Sequence, residues 1–528
     1  MKRQRIQKNL QEPNAKRIKK NKLQLSQDVL QYILSDFLYF DDALNCKLSN
    51  SQFNVKSYRL NFEQNENVNF KKLKQIDNPF IKTFHFNFFL LKKTKKFTQI
   101  SKKTSTNVFM IDDNFKEPMQ SYFQNFKNVK MNRMIILNNT NHPFPNEFPS
   151  TLKSIIGWQD IPLPENLPNS IEDIHFNLFY NQPLPKNLPK TLKVIDFCDC
   201  YQKPLPNNLP DSIETIKFGN FYNEPLPQNM PKSLKYIKFG NDFDHTIQHK
   251  FPLSIEKIKF GMHFRKEFDF QPYKALKHIK FGGYFNKRLR DNLPETLEVV
   301  GFGRAYNKPL PIELPPHLIK IKFGNDYNQV LSSNFPKSLK CVKFGRRFNK
   351  PIENKLPDHI EQIKLGRNFD KVVDFRYFKS LKILEFNCRN KKIKFFENLP
   401  ESLEELYLRP EEIKVFDEKL PKQFPKHLKV LEFHYAFNEP LTIKLPQTLK
   451  IIRFGTKFDQ ILPEDLPDSI EEISLADKYK KVLPNKLPKS LKQLKIRITG
   501  RELVFGDRYY QSKGFLCRDG KNLGVKLK

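Results

Sequence analysis

The chain has 528 residues and carries 92 lysine and arginine residues against 57 aspartate and glutamate, a net charge of +35. That excess favours acidic partners, whether protein, nucleic acid or anionic membrane, although abundant Lys, Asn, Ile and Phe are also what biased codon usage produces. Six scattered cysteines speak for a reducing compartment and against a disulfide scaffold, and no apolar run approaches the ~18 residues that cross a bilayer.

The first 22 residues are a basic tail, expected to be disordered. Lys2 and Arg3 are followed after twelve residues by Lys16, Arg17, Lys19 and Lys20. Two basic clusters at that spacing fit a bipartite nuclear-import signal; the plainer alternative is a solvated tail of a lysine-rich chain. No apolar segment accompanies the charge, so a secretory signal is not expected. The expected location is intracellular, cytoplasmic or nuclear, with no membrane partner.

Residues 23–62 carry a helical pattern. Ser26 is an N-cap candidate, and Val29, Leu30, Ile33, Leu34 and Phe37 follow at helical spacing. Asp42 is placed to cap a second helix with Leu44 and Leu48. A pair of helices this small cannot bury a core alone and must dock on something. The block resembles an F-box. Its matching positions are Leu25, Val29, Leu30, Ile33, Leu34, Asp42, Leu44 and Cys46, while Ser26 replaces the usual proline and no tryptophan follows. The resemblance implies binding of a Skp1-type adaptor through Leu25, Val29, Leu30, Ile33, Leu34 and Leu44, and so a link to a cullin ubiquitin ligase. The alternative is an amphipathic cap on the following domain.

Residues 63–127 read as a linker or as degenerate repeats: Ile81, Phe84 and Phe86 fit one strand signature, and Phe115 to Met119 fit one turn. From 128 to 500 one phrase recurs. NFYNEPLPQNMPKSLKYIKFG spans 220–240, and much of it returns 21 residues later. With the proline of LPxSL as position 0, the copies start at Pro149, Pro168, Pro189, Pro210, Pro231, Pro252, Tyr273, Pro294, Pro315, Pro336, Pro357, Phe378, Pro400, Pro425, Pro446, Pro467 and Pro488. A weaker copy precedes them at Asn128.

Apolar residues fall at positions 3, 6 and 8, the strand signature of leucine-rich repeats. Position 9 is glycine in nine copies, from Gly219 to Gly455, which permits a sharp departure from the strand. Position 12 is usually aromatic and position 13 often asparagine. The prolines leave little room for a helix in the return. The fold class that follows is a leucine-rich-repeat-like solenoid: a parallel sheet of about 17–18 short strands, proline-rich non-helical returns, and a small helical domain in front. Tyr222-Asn223-Glu224-Pro225, Tyr306-Asn307-Lys308-Pro309, Phe348-Asn349-Lys350-Pro351 and Phe437-Asn438-Glu439-Pro440 resemble the FNIP repeat, a variant of leucine-rich-repeat solenoids known in amoebae and their giant viruses. In that family an F-box before the repeats is a familiar arrangement. Residues 501–528 leave the register and are read as a C-terminal cap.

Position 7 lies between the inward residues 6 and 8 and should face outward from the sheet. It is Lys217, Lys238, Lys259, Lys280, then Gly301, then Lys322, Lys343 and Lys364. Like charges on neighbouring strands repel, so this row, expected on a concave face, is a candidate seat for an acidic target; the alternative is a row of solvated, screened lysines. Position 4 alternates instead, Lys193, Glu214, Lys235, Glu256, Lys277, Glu298, and can pair with itself. The aromatics fall at inward positions, which disfavours stacking on nucleic acid.

No residue pattern suggests catalysis, a cofactor or a metal. Gly301-Phe302-Gly303 fits no phosphate-binding loop, there is no HExxH, GxSxG or paired CxxC, and Cys198-x-Cys200 lacks a second pair. His175, His278 and His317 sit at variable positions of the repeat. The sequence thus reads as a non-enzymatic interaction protein. One reading is the substrate-recruiting subunit of a ubiquitin ligase; the other is a scaffold whose N-terminal helices only cap the coil.

Overall fold

The structure is a computed structural model. It describes residues 132–136 and 148–498 apart from 159, 248–250, 292, 333, 388–397, 410–419 and 476–478. It gives the backbone alone at 496–498 and at the strands before 132 and after 498. The F-box-like residues Leu25 to Leu44 and the basic clusters Lys2 to Lys20 lie outside the described residues. The chain divides into two compact units, Met1–Cys198 and Asp199–Lys528.

In the first unit the strands Tyr58–Leu60, Phe84–Phe86, Val108–Ile111, Arg133–Ile136, Ser154–Trp158, Asp173–Phe176 and Val194–Asp196 pair in parallel, each with the next. Tyr58–Leu60 falls at the end of the 23–62 segment, and Phe84–Phe86 lies where the sequence pattern places a strand. Gly157, whose φ is 82°, sits at an irregularity that brings Trp158 opposite Phe176. A Cβ there would lie 2.1 Å from the carbonyl oxygen of Ile136, so only glycine fits this bulge.

In the second unit a run of parallel strands begins at Thr215–Lys217 and Tyr236–Lys238 and continues, one per coil, to Glu472–Leu475 and Gln493–Ile498. The strand Arg501–Phe505 then pairs antiparallel with Gln493–Ile498, covering an edge that would otherwise offer unpaired backbone. Tyr509–Ser512, Phe515–Arg518 and Lys521–Lys526 form a separate antiparallel sheet. The one helical element among the described residues is a 3-10 turn at Phe375–Tyr377, where the copy beginning at Phe378 lacks its proline.

Each letter of the repeat has a physical duty. The carbonyl at position 0 accepts from the N–H at position 3, as Pro231 does from Leu234 at 3.1 Å, closing a turn before the strand. The hydroxyl at position 2 reaches back to the previous coil: Ser254 donates to the carbonyl of Leu234 at 3.0 Å and Ser338 to that of Leu318 at 2.9 Å. Positions 3, 6 and 8 are buried, as Leu234, Ile237 and Phe239 are.

The aromatics build two continuous columns. At position 8, Phe218, Phe239, Phe260, Phe281, Phe302, Phe323 and Phe344 stack from coil to coil at 5.3–6.2 Å between ring centres. At position 12, Tyr222, Phe243, Phe264, Phe285, Tyr306, Tyr327, Phe348 and Phe369 do the same at 6.1–6.5 Å. Within a coil the two rings lie closer, 3.9 Å for Phe218 and Tyr222. Such pairs add roughly 0.5–1.5 kcal/mol each beyond the apolar area they bury.

Asparagine at position 13 forms a third column. The side-chain oxygen of Asn307 accepts from the N–H of Asn328, that of Asn328 from Asn349, and that of Asn349 from Asp370, at 2.9–3.0 Å. Return segments lacking a β-ladder thereby still satisfy their backbone donors.

The glycine at position 9 is required by close approach. It does not supply the left-handed turn that its conformational freedom suggests. Among the described residues Gly157 is the only glycine with positive φ. A Cβ on Gly261 would lie 1.5 Å from the carbonyl oxygen of Gly240, and one on Gly324 would lie 1.6 Å from that of Gly303. Each coil's backbone therefore rests directly on the Cα of the next. Gly301, at position 7, is different: a Cβ there would meet nothing closer than the stem of Lys280 at 3.5 Å. Gly324→Ala should accordingly lower stability by about 2–3 kcal/mol through overpacking, whereas Gly301→Ala should stay within about 0.5 kcal/mol of the parent. Urea denaturation of the two variants checks this, and equal midpoints would contradict it.

Candidate protein-docking face

The strand residues at positions 5 and 7 point away from the buried columns. In the second unit the registers place Lys217 beside Lys238, Lys238 beside Lys259 and Lys259 beside Lys280. Gly301 interrupts the row between Lys280 and Lys322. Lys322, Lys343 and Lys364 then continue it. The predicted lysine row is thus one line of neighbours on one face.

Position 5 widens it. Lys257 and Lys320 occupy the same face, and the Lys257 ammonium lies over the Tyr236 ring at 4.9 Å. The sequence reading singled out position 7 alone; the same 21-residue register, read two residues earlier, yields these further cations.

The row ends in acid. Glu385 pairs with Lys364 in register. Its carboxylate takes Lys364 at 2.7 Å and Lys343 at 3.6 Å. Burial works to raise the Glu385 carboxyl, but the two ammonium groups outweigh it and hold it below its usual range. Further along, Glu432 pairs with Arg409 and Arg453, and Glu472 with Arg453 and Lys495. This end of the face is self-neutralised.

No such relief reaches the middle. Among the described residues, no carboxylate pairs with Lys238, Lys259, Lys280 or Lys322. Burial, and then the charges of Lys280, Lys238 and Lys257, push the Lys259 ammonium below its usual range. Lys322 is lowered in the same way by burial and by Lys280, Lys343, Lys364 and Lys320. These cations are partly desolvated and crowded by their own kind.

Position 4, at the margin of the strands, forms the ion pairs that its alternating sign predicts in some coils, though not, among the described residues, at Glu256 and Lys277. Lys235 pairs with Glu214 at 3.0 Å, and Glu361 takes both Lys340 and Lys382, at 2.9 and 3.0 Å. Glu471 is held likewise between Lys450 and Lys492. In the first unit Glu172, between Lys153 and Lys193, has its pKa lowered to about 2, chiefly by the hydrogen bond from Lys193.

The first unit carries a different group on its outward positions. His175 lies 3.5 Å from Asp173 and 3.5 Å from Asp196, and Ser154 donates to Asp173 at 2.5 Å. The sequence reading placed His175 only at a variable position of the repeat, as a surface or turn histidine. Hydrogen bonding to Asp173, then to Asp196, raises its pKa to about 9 against burial. Among the described residues no group of three or more His, Cys, Asp or Glu is arranged to hold a metal ion, and no helix is long and apolar enough to cross a membrane.

Similarity to known proteins agrees with this architecture. FNIP repeats are found at residues 180–221, 222–270, 306–347, 327–368, 416–457 and 458–497. The crystal structure of CroV588, a circular leucine-rich-repeat protein, is similar with 24% identity and a TM-score of 0.52, covering 78% of this chain and 75% of that one. YopM from Yersinia enterocolitica matches at 17% identity and a TM-score of 0.37, over 73% of this chain and 96% of that one. The mouse RP105/MD-1 complex matches at 13% identity and 0.41, over 79% and 76%. No curated protein sequence matches the chain. The fold is a leucine-rich-repeat-like β-solenoid, with FNIP repeats at the six matched segments.

The His175 contacts fix a pH dependence. A pKa raised from 6.5 to about 9 means that protonated His175 stabilises the fold. That contribution is complete below pH 6.5 and is lost as pH rises through about 9. His175→Gln should therefore lower the melting temperature more at pH 6 than at pH 10. Equal losses at both pH values would contradict the assigned contacts.

Proposed function

We propose that the chain is a non-enzymatic recruiting protein: the lysine face of its second unit holds an acidic target protein, and residues 23–62 hold a Skp1-type adaptor of a cullin ubiquitin ligase. One observation carries the target arm. The cations from Lys238 to Lys322 stand in register with no carboxylate among the described residues to neutralise them, whereas Lys235, Glu361 and Glu471 at position 4 find partners of opposite sign in neighbouring coils. An acidic surface laid along the face would relieve a repulsion the fold leaves in place, and would add steering and specificity. The broad sheet surface of a solenoid suits a macromolecular partner.

The adaptor arm rests on the F-box resemblance of Leu25, Val29, Leu30, Ile33, Leu34 and Leu44. A protein of this kind contributes no reacting group; it raises the effective concentration of a target beside the ligase.

Co-purification from cells tests both arms. The parent chain should capture a Skp1-type protein together with an acidic target. The Leu30→Asp, Ile33→Asp double variant should lose the adaptor and keep the target. The Lys238→Glu, Lys259→Glu, Lys280→Glu variant should lose the target by at least tenfold and keep the adaptor. Absence of any Skp1-type protein from the parent's complexes contradicts the adaptor arm, and target capture unchanged by the triple reversal contradicts the docking face.

A further inference from the structure

Gly301 is a glycine that the fold does not need. The glycines at position 9 are demanded by the neighbouring coil's carbonyl oxygen, but Gly301 faces only an ordinary contact with Lys280 and has no left-handed φ. Gly301 is the last residue of the strand Val299–Gly301, and a glycine in a strand often marks a place where a ligand or another backbone comes close. Here it removes one side chain from the centre of the lysine row, leaving a gap flanked in register by Lys280 and Lys322. Both lysines are exposed. The charge of Lys280 is felt at Lys322 across the gap, and neither is matched by a carboxylate among the described residues.

We infer that the gap at Gly301 is a seat for one phosphate group, carried on a phosphorylated side chain of the bound acidic protein and held by Lys280 and Lys322. The inference rests on the docking-face reading and narrows it. The backbones of Lys280 and Lys322 are two strand spacings apart, about 9.6 Å, so two long flexible stems can close on a single anion between them. A phosphate monoester brings roughly −1.5 to −2 charge and three acceptor oxygens, enough to take both ammonium groups at once. A carboxylate carries one charge and leaves part of the repulsion. The missing side chain lets the group sink towards the sheet. The recognition is by side chains on a strand, which is why no phosphate-loop pattern announces it in the sequence.

The test uses the full chain and two fluorescein-labelled peptides, one with glutamates around a single phosphoserine and its twin with serine. Fluorescence anisotropy at low salt should show the phosphorylated peptide binding at least tenfold more tightly. Gly301→Val, which fills the gap with a residue suited to strands, should abolish that preference and leave the affinity for the serine peptide within about twofold. The Lys280→Gln, Lys322→Gln variant should also lose it. Equal affinity of the parent for the two peptides overturns the seat while sparing the docking face, as does a preference that survives Gly301→Val. Failure of both peptides to bind overturns the docking face and the seat with it. A single-stranded oligonucleotide that displaces the phosphopeptide at equal phosphate concentration would also overturn the proposal.

Discussion

The second unit depends on one close approach, the carbonyl oxygen of the glycine at position 9 resting on the Cα of the glycine one coil later. At Gly240, Gly261, Gly303, Gly324, Gly345 and Gly366 a Cβ would fall within 1.9 Å of that oxygen. This contact sets how closely the turns after the strands can nest. With the turns nested, the rings at positions 8 and 12 stack face to face, the serine hydroxyls reach the previous coil and the asparagine ladder closes. In the run from Gly240 to Gly366 a residue with a side chain at that point would part the coils and weaken all of these together; further along, Asn387, Arg409 and His434 occupy position 9.

Exact nesting has an electrostatic consequence. A residue type repeated at one position becomes a line of identical neighbours about 4.8 Å apart. For phenylalanine this builds a core. For asparagine it builds a hydrogen-bond ladder, because each side-chain oxygen accepts from the backbone N–H one coil later. For lysine it concentrates charge, and the chain handles its two charged rows differently. At position 4 the sign alternates, and ion pairs form at Lys235, Glu361 and Glu471. At position 7 it does not alternate until Glu385, so a stretch of the face keeps its charge. The contrast within one sheet argues that the position 7 row is more than compositional excess.

Much of this was legible in the sequence because the repeat is its own ruler. A constant 21-residue interval assigns every Phe, Leu and Lys to a column, so the buried columns, the outward lysine row and the pairing at position 4 could all be read before any coordinates. What was not legible depends on contacts between coils. The glycine's role looked like backbone freedom and is instead a steric fit to another coil. The hydrogen bonds of Ser254 and Asn307 run between coils, and nothing in the repeat pattern announces them. His175 is held first by Asp173 on its own strand and then by Asp196, one coil away on a neighbouring strand. The seat at Gly301 is visible only once the other glycines have been explained. The F-box-like residues Leu25 to Leu44 lie outside the described residues and rest on their sequence pattern alone.

The central claim is that position 7 of successive coils forms one in-register line. Spin labels at cysteines replacing Lys238 and Lys322, in a chain whose native cysteines have been substituted, measure it by pulsed electron double resonance. Four strand spacings place the two backbones about 19 Å apart, so the account predicts one narrow distribution near that value, broadened only by the label arms. A centre beyond about 35 Å, or a broad spread without a maximum, would contradict the stacked register on which the docking face and the phosphate seat both rest.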